Sequence, residues 1–235
     1  MQLFYNQQIT IATKQFTFDK TESRHIVRVL RKKEGDELFI TDGLGALFKA
    51  KIIIANDKKC LVNILENSIK RKSHKYYLHI AIAPTKLNDR MEWFIEKATE
   101  IGIDEITPII CDHSERKVLK LERMQKILQS AAKQSLKFHF PTLNKPVKFS
   151  TFIKSGFNGQ LFIAHCESGK KTSLKSVLKA NKKTTILIGP EGDFSAKEIE
   201  QSLEQNFIPV SLGDSRLRTE TAGIVATHSV AFINE

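Results

Sequence analysis

The apolar run Ile186–Ile188 ends abruptly in Gly189-Pro190-Glu191-Gly192, and a helix-like stretch follows at once. Further on, SLGDSRLRTETAG (211–223) repeats the arrangement: a strand-like run, a turn at Gly213, then a helix. Glycine permits positive φ and lets a ligand approach the backbone closely; proline stiffens a turn and removes a donor. Loops of this kind expose backbone N–H and C=O groups, which suit the edge of a flat heterocycle. Neither loop is a phosphate cradle of a familiar type. There is no GxxxxGK[ST] and no GxGxxG after a first strand, which argues against a P-loop and a Rossmann dinucleotide site. Alone, GPEG reads equally well as a tight turn.

The elements that must position these turns change in character along the chain. Up to about residue 70, DKTESRHIVRVLR opens with capping-type residues and sets Ile26, Val27 and Leu30 at helical spacing. ELFITDG, ALFKAKIIIAND and KCLVNILEN then read as strands separated by turn residues. A small β-barrel or curled antiparallel sheet with one helix is expected for 1–70, followed by a basic, polar linker at 71–75. From 76 to 235 strands alternate with helices: YYLHIAIAP, a helix closed by Gly102, EITPIIC, a helix from about Leu121 to Lys137, QLFIAHC, TTILIGP, SAKEIEQSLEQN with Ser195 and Glu198 as a capping box, FIPVSLG, and a last helix from Thr219. That alternation predicts an α/β domain with a largely parallel sheet covered on both faces. Ligands of such sheets bind outside the carboxyl ends of the strands. Four strand ends, at APTK, AHCES and the two glycine turns, are expected to border one pocket. Trp93 and Phe94 are expected in the core.

Composition narrows the partner. Among 235 residues Lys and Arg outnumber Asp and Glu 37 to 26, a net charge of +11, which commonly serves a polyanion, solubility being the plainer alternative. Three scattered cysteines, Cys60, Cys111 and Cys166, fit neither a disulfide framework nor a zinc cluster and read as buried apolar residues in a reducing compartment. His25, His113, His165 and His228 lack metal-ligand spacing, so no metal is expected. The opening MQLFYNQQIT has no signal-peptide pattern, and no apolar run approaches the roughly 20 residues of a membrane span. A cytoplasmic protein without membrane contact is expected.

IGPEGDFSAKE followed by SLGDSRLRTETA resembles the paired signatures of the RsmE-type methyltransferases of the SPOUT class. KLNDRMEWFIEKATEIGIDEITPI, AAKQSLKFHFP and RHIVRVLRKKEGDEL extend the likeness, in order, over most of the chain. The resemblance implies a SPOUT domain, an α/β fold with a trefoil knot, preceded by a PUA-like RNA-binding barrel. It implies an S-adenosylmethionine-dependent enzyme that methylates N3 of a uridine in 16S ribosomal RNA, on free RNA or the small subunit, and acts as a homodimer. One wall of the cofactor site would be Ile188, Gly189, Pro190, Glu191 and Gly192. The other would be Leu212, Gly213, Leu217, Arg218, Thr219, Glu220, Thr221 and Ala222. Three departures stand out: Asp193 in place of a glycine, Ser215-Arg216 in place of Arg-Ile, and Lys137 in place of an arginine. Asp193 is expected either to crowd the turn or to cap the next helix. Another RNA as substrate, or a non-catalytic assembly factor with this fold, are the alternatives.

For such a reaction the sulfonium methyl is already activated, so alignment matters most. N3 of uracil becomes a good nucleophile as its proton departs, and the negative charge that develops on the base needs stabilising. Arg218 is the candidate for that; a phosphate clamp or ion pair is its other reading. Glu220 could accept a proton, or could favour the positive end of the last helix with Thr219 as N-cap. RNA contacts are expected from Arg24, Arg28, Arg31 and Lys32 on the first helix and its exit, with His25 and Lys33 beside them, and from Lys86, Arg90, Arg116 and Lys137.

Overall fold

A computed structural model describes residues 1–235 apart from Ser168 and Lys170. The chain forms two compact units: Met1–Ser73 with Ala132–Phe140, and His74–Ala131 with Pro141–Glu235.

The first unit holds β1 (Leu3–Tyr5), β2 (Gln15–Thr17), α1 (Lys20–Arg24), which runs on as a π-helical turn over His25–Val29, β3 (Glu37–Thr41), β4 (Ala46–Ile54) and β5 (Leu61–Ile69). Its sheet order is β1-β3-β4-β5-β2, antiparallel except for β1 on β3. Alternation along β4 explains the core: Phe48, Ala50 and Ile52 are buried while Lys49 and Lys51 point outward. They meet Phe4, Phe18, Ile26, Leu38, Ile40 and Val62. Asp19 caps α1 by accepting the Glu22 N–H at 2.8 Å, and buried Ser23 ties the helix to β5's entry by accepting from Cys60 N at 2.8 Å. Strands β1 and β2, three residues each, are too short to leave a periodic signal.

The distant segment 132–140 joins this unit through backbone bonds: Phe140 N–H to Gly43 O at 2.8 Å and Gly45 N–H to Phe138 O at 2.9 Å. Phe140 also stacks on Tyr5 with ring centroids 4.6 Å apart, and Lys133 pairs with Glu22 at 2.9 Å.

The second unit begins with β6 (Tyr77–Ile82), α2 (Asn88–Ile101), β7 (Glu105–Ile110) and α3 (Leu121–Gln134), whose last turn passes into the first unit. There follow β8 (Thr142–Leu143), β9 (Val147–Lys148), α4 (Phe149–Phe152), β10 (Gln160–Ala164), β11 (Thr172–Ser173), α5 (Leu174–Val177), β12 (Lys183–Ile188), α6 (Ala196–Glu204), β13 (Ile208–Ser211) and α7 (Thr219–Ile233). Among the described residues every strand pair is parallel, in the order β11-β13-β10-β12-β6-β7-β8, with β9 on β7. Both faces are covered, as the unbroken burial of Leu78–Ile82 requires. One face packs Ala81, Ile109, Ile163 and Leu187 against Phe149, Phe152, Phe194 and Phe207. On the other, α7 approaches α2 so closely that a Cβ on Gly223 would lie 2.6 Å from the Phe94 ring and 3.0 Å from Ile82 Cδ1.

Two core expectations need correction. Phe94 is fully buried, but Trp93 is 43% exposed, because neighbours on an α-helix point about 100° apart and only one of them can face the sheet. Cys60 and Cys111 are buried, whereas Cys166, beyond the end of β10, is exposed.

Candidate functional site

At the carboxyl ends of β10, β12 and β13 a cavity of about 700 Å³ opens. Three loops line it: Ala164–Cys166 with Lys171; Ile188–Glu191 with Asp193; and the run Val210–Thr219 with Ala222. The APTK strand end lies outside the lining and serves as a brace, since Lys86 N–H donates to Glu191 Oε1 at 2.9 Å. Three strand ends, not the expected four, therefore border the cavity.

The two glycine turns meet directly. Thr219 Oγ1 donates to Gly189 O at 3.0 Å, which joins the β12 turn to the start of α7. Gly189 packs tightly: a Cβ there would sit 3.0 Å from the ring of buried Phe194, which would have to give way. Gly213 is required by its backbone, at φ +134°. Thr219 is the first helical residue rather than the N-cap; Arg218 occupies that position, with no capping side-chain bond. The next helix follows its sequence signal, with Ser195 and Glu198 forming a capping box. Glu198 Oε1 also accepts from Asp112 N–H at 3.0 Å, fixing the loop after β7.

Of the residues assigned to cofactor walls, Ile188, Gly189, Pro190, Glu191, Leu212, Gly213, Leu217, Arg218, Thr219 and Ala222 line the cavity; Gly192, Glu220 and Thr221 do not. Gly192 turns to His113, whose Nδ1 lies 3.0 Å from its carbonyl oxygen. Glu220, in the first turn of α7, is buried, with Oε1 3.6 Å from Arg90 Nε and Oε2 without a hydrogen-bond partner among the described residues. The two catalytic candidates thus separate: Arg218 is exposed on the cavity lining, and Glu220 is withdrawn from it.

Asp193 neither crowds its turn nor caps the helix from the N-cap position. It adopts φ +65°, and its carboxylate accepts from Phe194 N–H at 2.8 Å and from Cys166 N–H at 2.6 Å across the cavity wall. His165, Cys166, Lys171, Asp214 and Arg216 also line the cavity; AHCES was legible as a strand end, but nothing local in it singles out these side chains. Both ring nitrogens of His165 are buried without a partner among the described residues. Burial, with the Lys171 charge adding to it, holds this imidazole's pKa below its ordinary value, against opposing pulls from Asp193 and Glu167.

The basic candidates fall into separate groups. In the first unit Arg24 and Arg28 border a concavity with Lys20, Lys58 and Asp57, and Arg28 pairs with Asp57 at 2.8 Å. Arg31 follows at φ +54°, and Lys32 donates to Glu37 O at 2.9 Å. Lys137, half-buried, has its pKa lowered by burial. In the second unit Lys86 and Arg116 share a shallow concavity. Arg116 spends its guanidinium on backbone oxygens, 2.6 Å from Nη2 to Lys86 O, and Lys86 Nζ pairs with Glu115 at 2.9 Å. Among the described residues no group of His, Cys, Asp and Glu could hold a metal ion, and no helix is long and apolar enough to cross a membrane.

Residues 72–231 match the RNA methyltransferase domain, and residues 18–65 the RNA methyltransferase PUA domain. A relative from Buchnera aphidicola (subsp. Acyrthosiphon pisum), ribosomal RNA small subunit methyltransferase E, is 32% identical over 90% of this chain and 86% of its own. A crystal structure of a "probable rRNA-methyltransferase" of Porphyromonas gingivalis superposes with a TM-score of 0.93 at 40% identity, covering 100% of this chain and 98% of that one. A methyltransferase structure from Legionella pneumophila, in complex with the bound cofactor SAM, gives a TM-score of 0.87 at 26% identity, covering 97% and 96%. With two matched domains in order and relatives aligned along nearly the whole chain, this protein belongs to the ribosomal RNA small subunit methyltransferase E family.

Proposed function

We propose that this chain methylates N3 of a uridine in 16S ribosomal RNA, with S-adenosylmethionine as methyl donor. The observation that carries the reading is the single cavity in which both glycine turns meet through the Thr219–Gly189 bond. Its volume of about 700 Å³ lies within the usual range for small-molecule sites. Unspent polar groups suit a ligand: the two partnerless His165 nitrogens, and the α7 amino end, whose positive dipole favours a carboxylate. The Legionella relative was solved with SAM bound.

The cofactor supplies a methyl group on an activated sulfonium. The walls assigned above, Ile188–Glu191, Leu212, Gly213, Leu217–Thr219 and Ala222, hold and orient it, while Gly192, Glu220 and Thr221 support them from outside. Arg218, at the mouth, is placed to stabilise the negative charge that uracil develops as N3 loses its proton; being permanently protonated, it does not take that proton itself. Glu220, buried against Arg90, joins the first turns of α2 and α7, and its role is to hold Arg218's helix in place.

In the same reading, residues 1–70 serve as the RNA-binding barrel, joined by 132–140, with 71–75 as the link and the rest of 76–235 as the catalytic domain. Arg24, Arg28, Arg31, Lys32, Lys86, Arg90, Arg116 and Lys137 contribute positive charge toward RNA, in keeping with a net charge of +11. The catalytic domain is threaded as a trefoil knot, a reading supported by β13, last in sequence among the strands, lying between β10 and β11. The working form is a cytoplasmic homodimer, and α7 offers a contact surface through Phe232, 68% exposed. Nucleoside mass spectrometry of small-subunit RNA tests the function. RNA from cells lacking the protein should have no 3-methyluridine and should gain it on treatment with the protein and S-adenosylmethionine; unchanged 3-methyluridine in both experiments would sink the assignment.

A further inference from the structure

Asp193 sits at φ +65°, a conformation that costs most side chains strain but that Asp and Asn tolerate better than others. Its N–H closes the turn on Pro190 O at 2.9 Å. Its side chain then reaches into a different loop. Oδ2 accepts from Cys166 N–H at 2.6 Å and from Glu167 N–H at 3.2 Å, and Oδ1 accepts from Phe194 N–H at 2.8 Å. From the other side Lys171 Nζ donates to His165 O at 3.1 Å and Glu167 O at 2.7 Å. The loop after β10 therefore gives its donors to a carboxylate and its acceptors to an ammonium. Hydrogen bonds to a charged partner are shorter and stronger than neutral ones. Behind the turn, His113 Nδ1 stands 3.0 Å from Gly192 O and 3.1 Å from Asp193 O, so the anchoring residue is itself held.

Both loops are cavity walls, one after β10 and one after β12. We propose that Asp193 is a positioning residue for the cofactor: its carboxylate locks the 165–167 loop to the Pro190 turn, and cofactor affinity depends on that lock. The inference rests on the methyltransferase reading above. It assigns Asp193 no contact with the reacting atoms.

Two variants separate the lock from the fold. Asp193→Gly deletes the carboxylate while accepting φ +65° without strain, and Asp193→Asn keeps the shape and one acceptor oxygen. Amide hydrogen exchange at Cys166 and Glu167 reads the lock; calorimetry with S-adenosylmethionine, together with cofactor KM and kcat, reads its consequence. In Asp193→Gly both amides should exchange at least about tenfold faster, and the cofactor Kd and KM should rise about tenfold with kcat changed less than about twofold. Asp193→Asn should recover part of both effects; if the glycine variant melts early, the asparagine variant decides. Unchanged exchange, or faster exchange with unchanged cofactor affinity, overturns the proposal. Wild-type protein that binds no S-adenosylmethionine overturns the reading beneath it, a result told apart because it appears before any substitution.

Discussion

The two ends of the parallel sheet treat their polar groups in opposite ways. At the amino end, around a concavity of about 410 Å³, side chains close on one another. His79 Nε2 lies 2.7 Å from Thr107 Oγ1, Asn144 Nδ2 donates to Glu105 and Thr107 at 2.7 and 2.8 Å, and the Tyr77 hydroxyl donates to Glu105. Lys183 lies over the Tyr77 ring, 4.8 Å from its centroid. At the carboxyl end the lining comes from three loops, and His165 has neither ring nitrogen partnered among the described residues. The strand β12 spans both, from Lys183 to Ile188. A polar cluster that satisfies itself ties strands together, whereas one with groups to spare is where a ligand fits.

Substitutions at the two ends should therefore fail in different assays. The largest effect is expected from Arg218→Ala: methyl transfer should fall about 100-fold, equivalent to about 2.7 kcal/mol, with the thermal midpoint unmoved. A fall in the midpoint instead would make the guanidinium a structural group. Glu105→Ala should do the converse. It removes the Glu105 carboxylate that accepts from the Tyr77 hydroxyl and is one of two acceptors for Asn144, and denaturant unfolding should register a loss of about 2 kcal/mol, while S-adenosylmethionine affinity per folded molecule stays unchanged. Weakened binding there would show that the ends are coupled. Gly189→Ala forces a Cβ to 3.0 Å from Phe194, and cofactor Kd measured by calorimetry should rise about tenfold, or about 1.4 kcal/mol.

The smallest effect is a pH dependence. Burial, reinforced by the Lys183 charge and opposed by Glu105, lowers the His79 pKa from 6.5. The unfolded chain then binds the proton first as pH falls, so stability present above about 6.5 is lost progressively below it. Glu105 adds to the same trend at lower pH. Burial raises its pKa, but the Tyr77 bond, His79, Asn144 and Lys183 together hold it below 4.5. His79→Gln should flatten the upper part of this slope in unfolding measurements made between neutral pH and 5; a slope left intact would assign it to another group, with His165 next in line.

What could be read before folding was local. Ser195 and Glu198 announce α6 from three residues apart, Gly102 closes α2, and the two glycine turns mark the cavity because strand ends are where parallel sheets bind ligands. What escaped was long-range. Asp193 and Cys166 are 27 residues apart, and His79 and Glu105 come from neighbouring strands whose pairing no spacing encodes. Residues up to about Lys137 read as the tail of a helix, yet the helix ends at Gln134 and Phe140 stacks on Tyr5 near the start of the chain. Glu220 sits in the same motif as Arg218, but its place two positions further on turns it about 200° around the helix and out of the cavity; a motif specifies positions, and only packing decides which way each side chain faces.

The Gly223 contact bears on inhibitor design. Even a single methyl at that position would collide with Phe94 and Ile82, and Ala222 beside it lines the cavity. The floor under α7 has no slack for added atoms, so a synthetic compound gains nothing by being extended downward. Room to grow lies outward, where Asp214, Ser215 and Arg216 line the rim and are exposed.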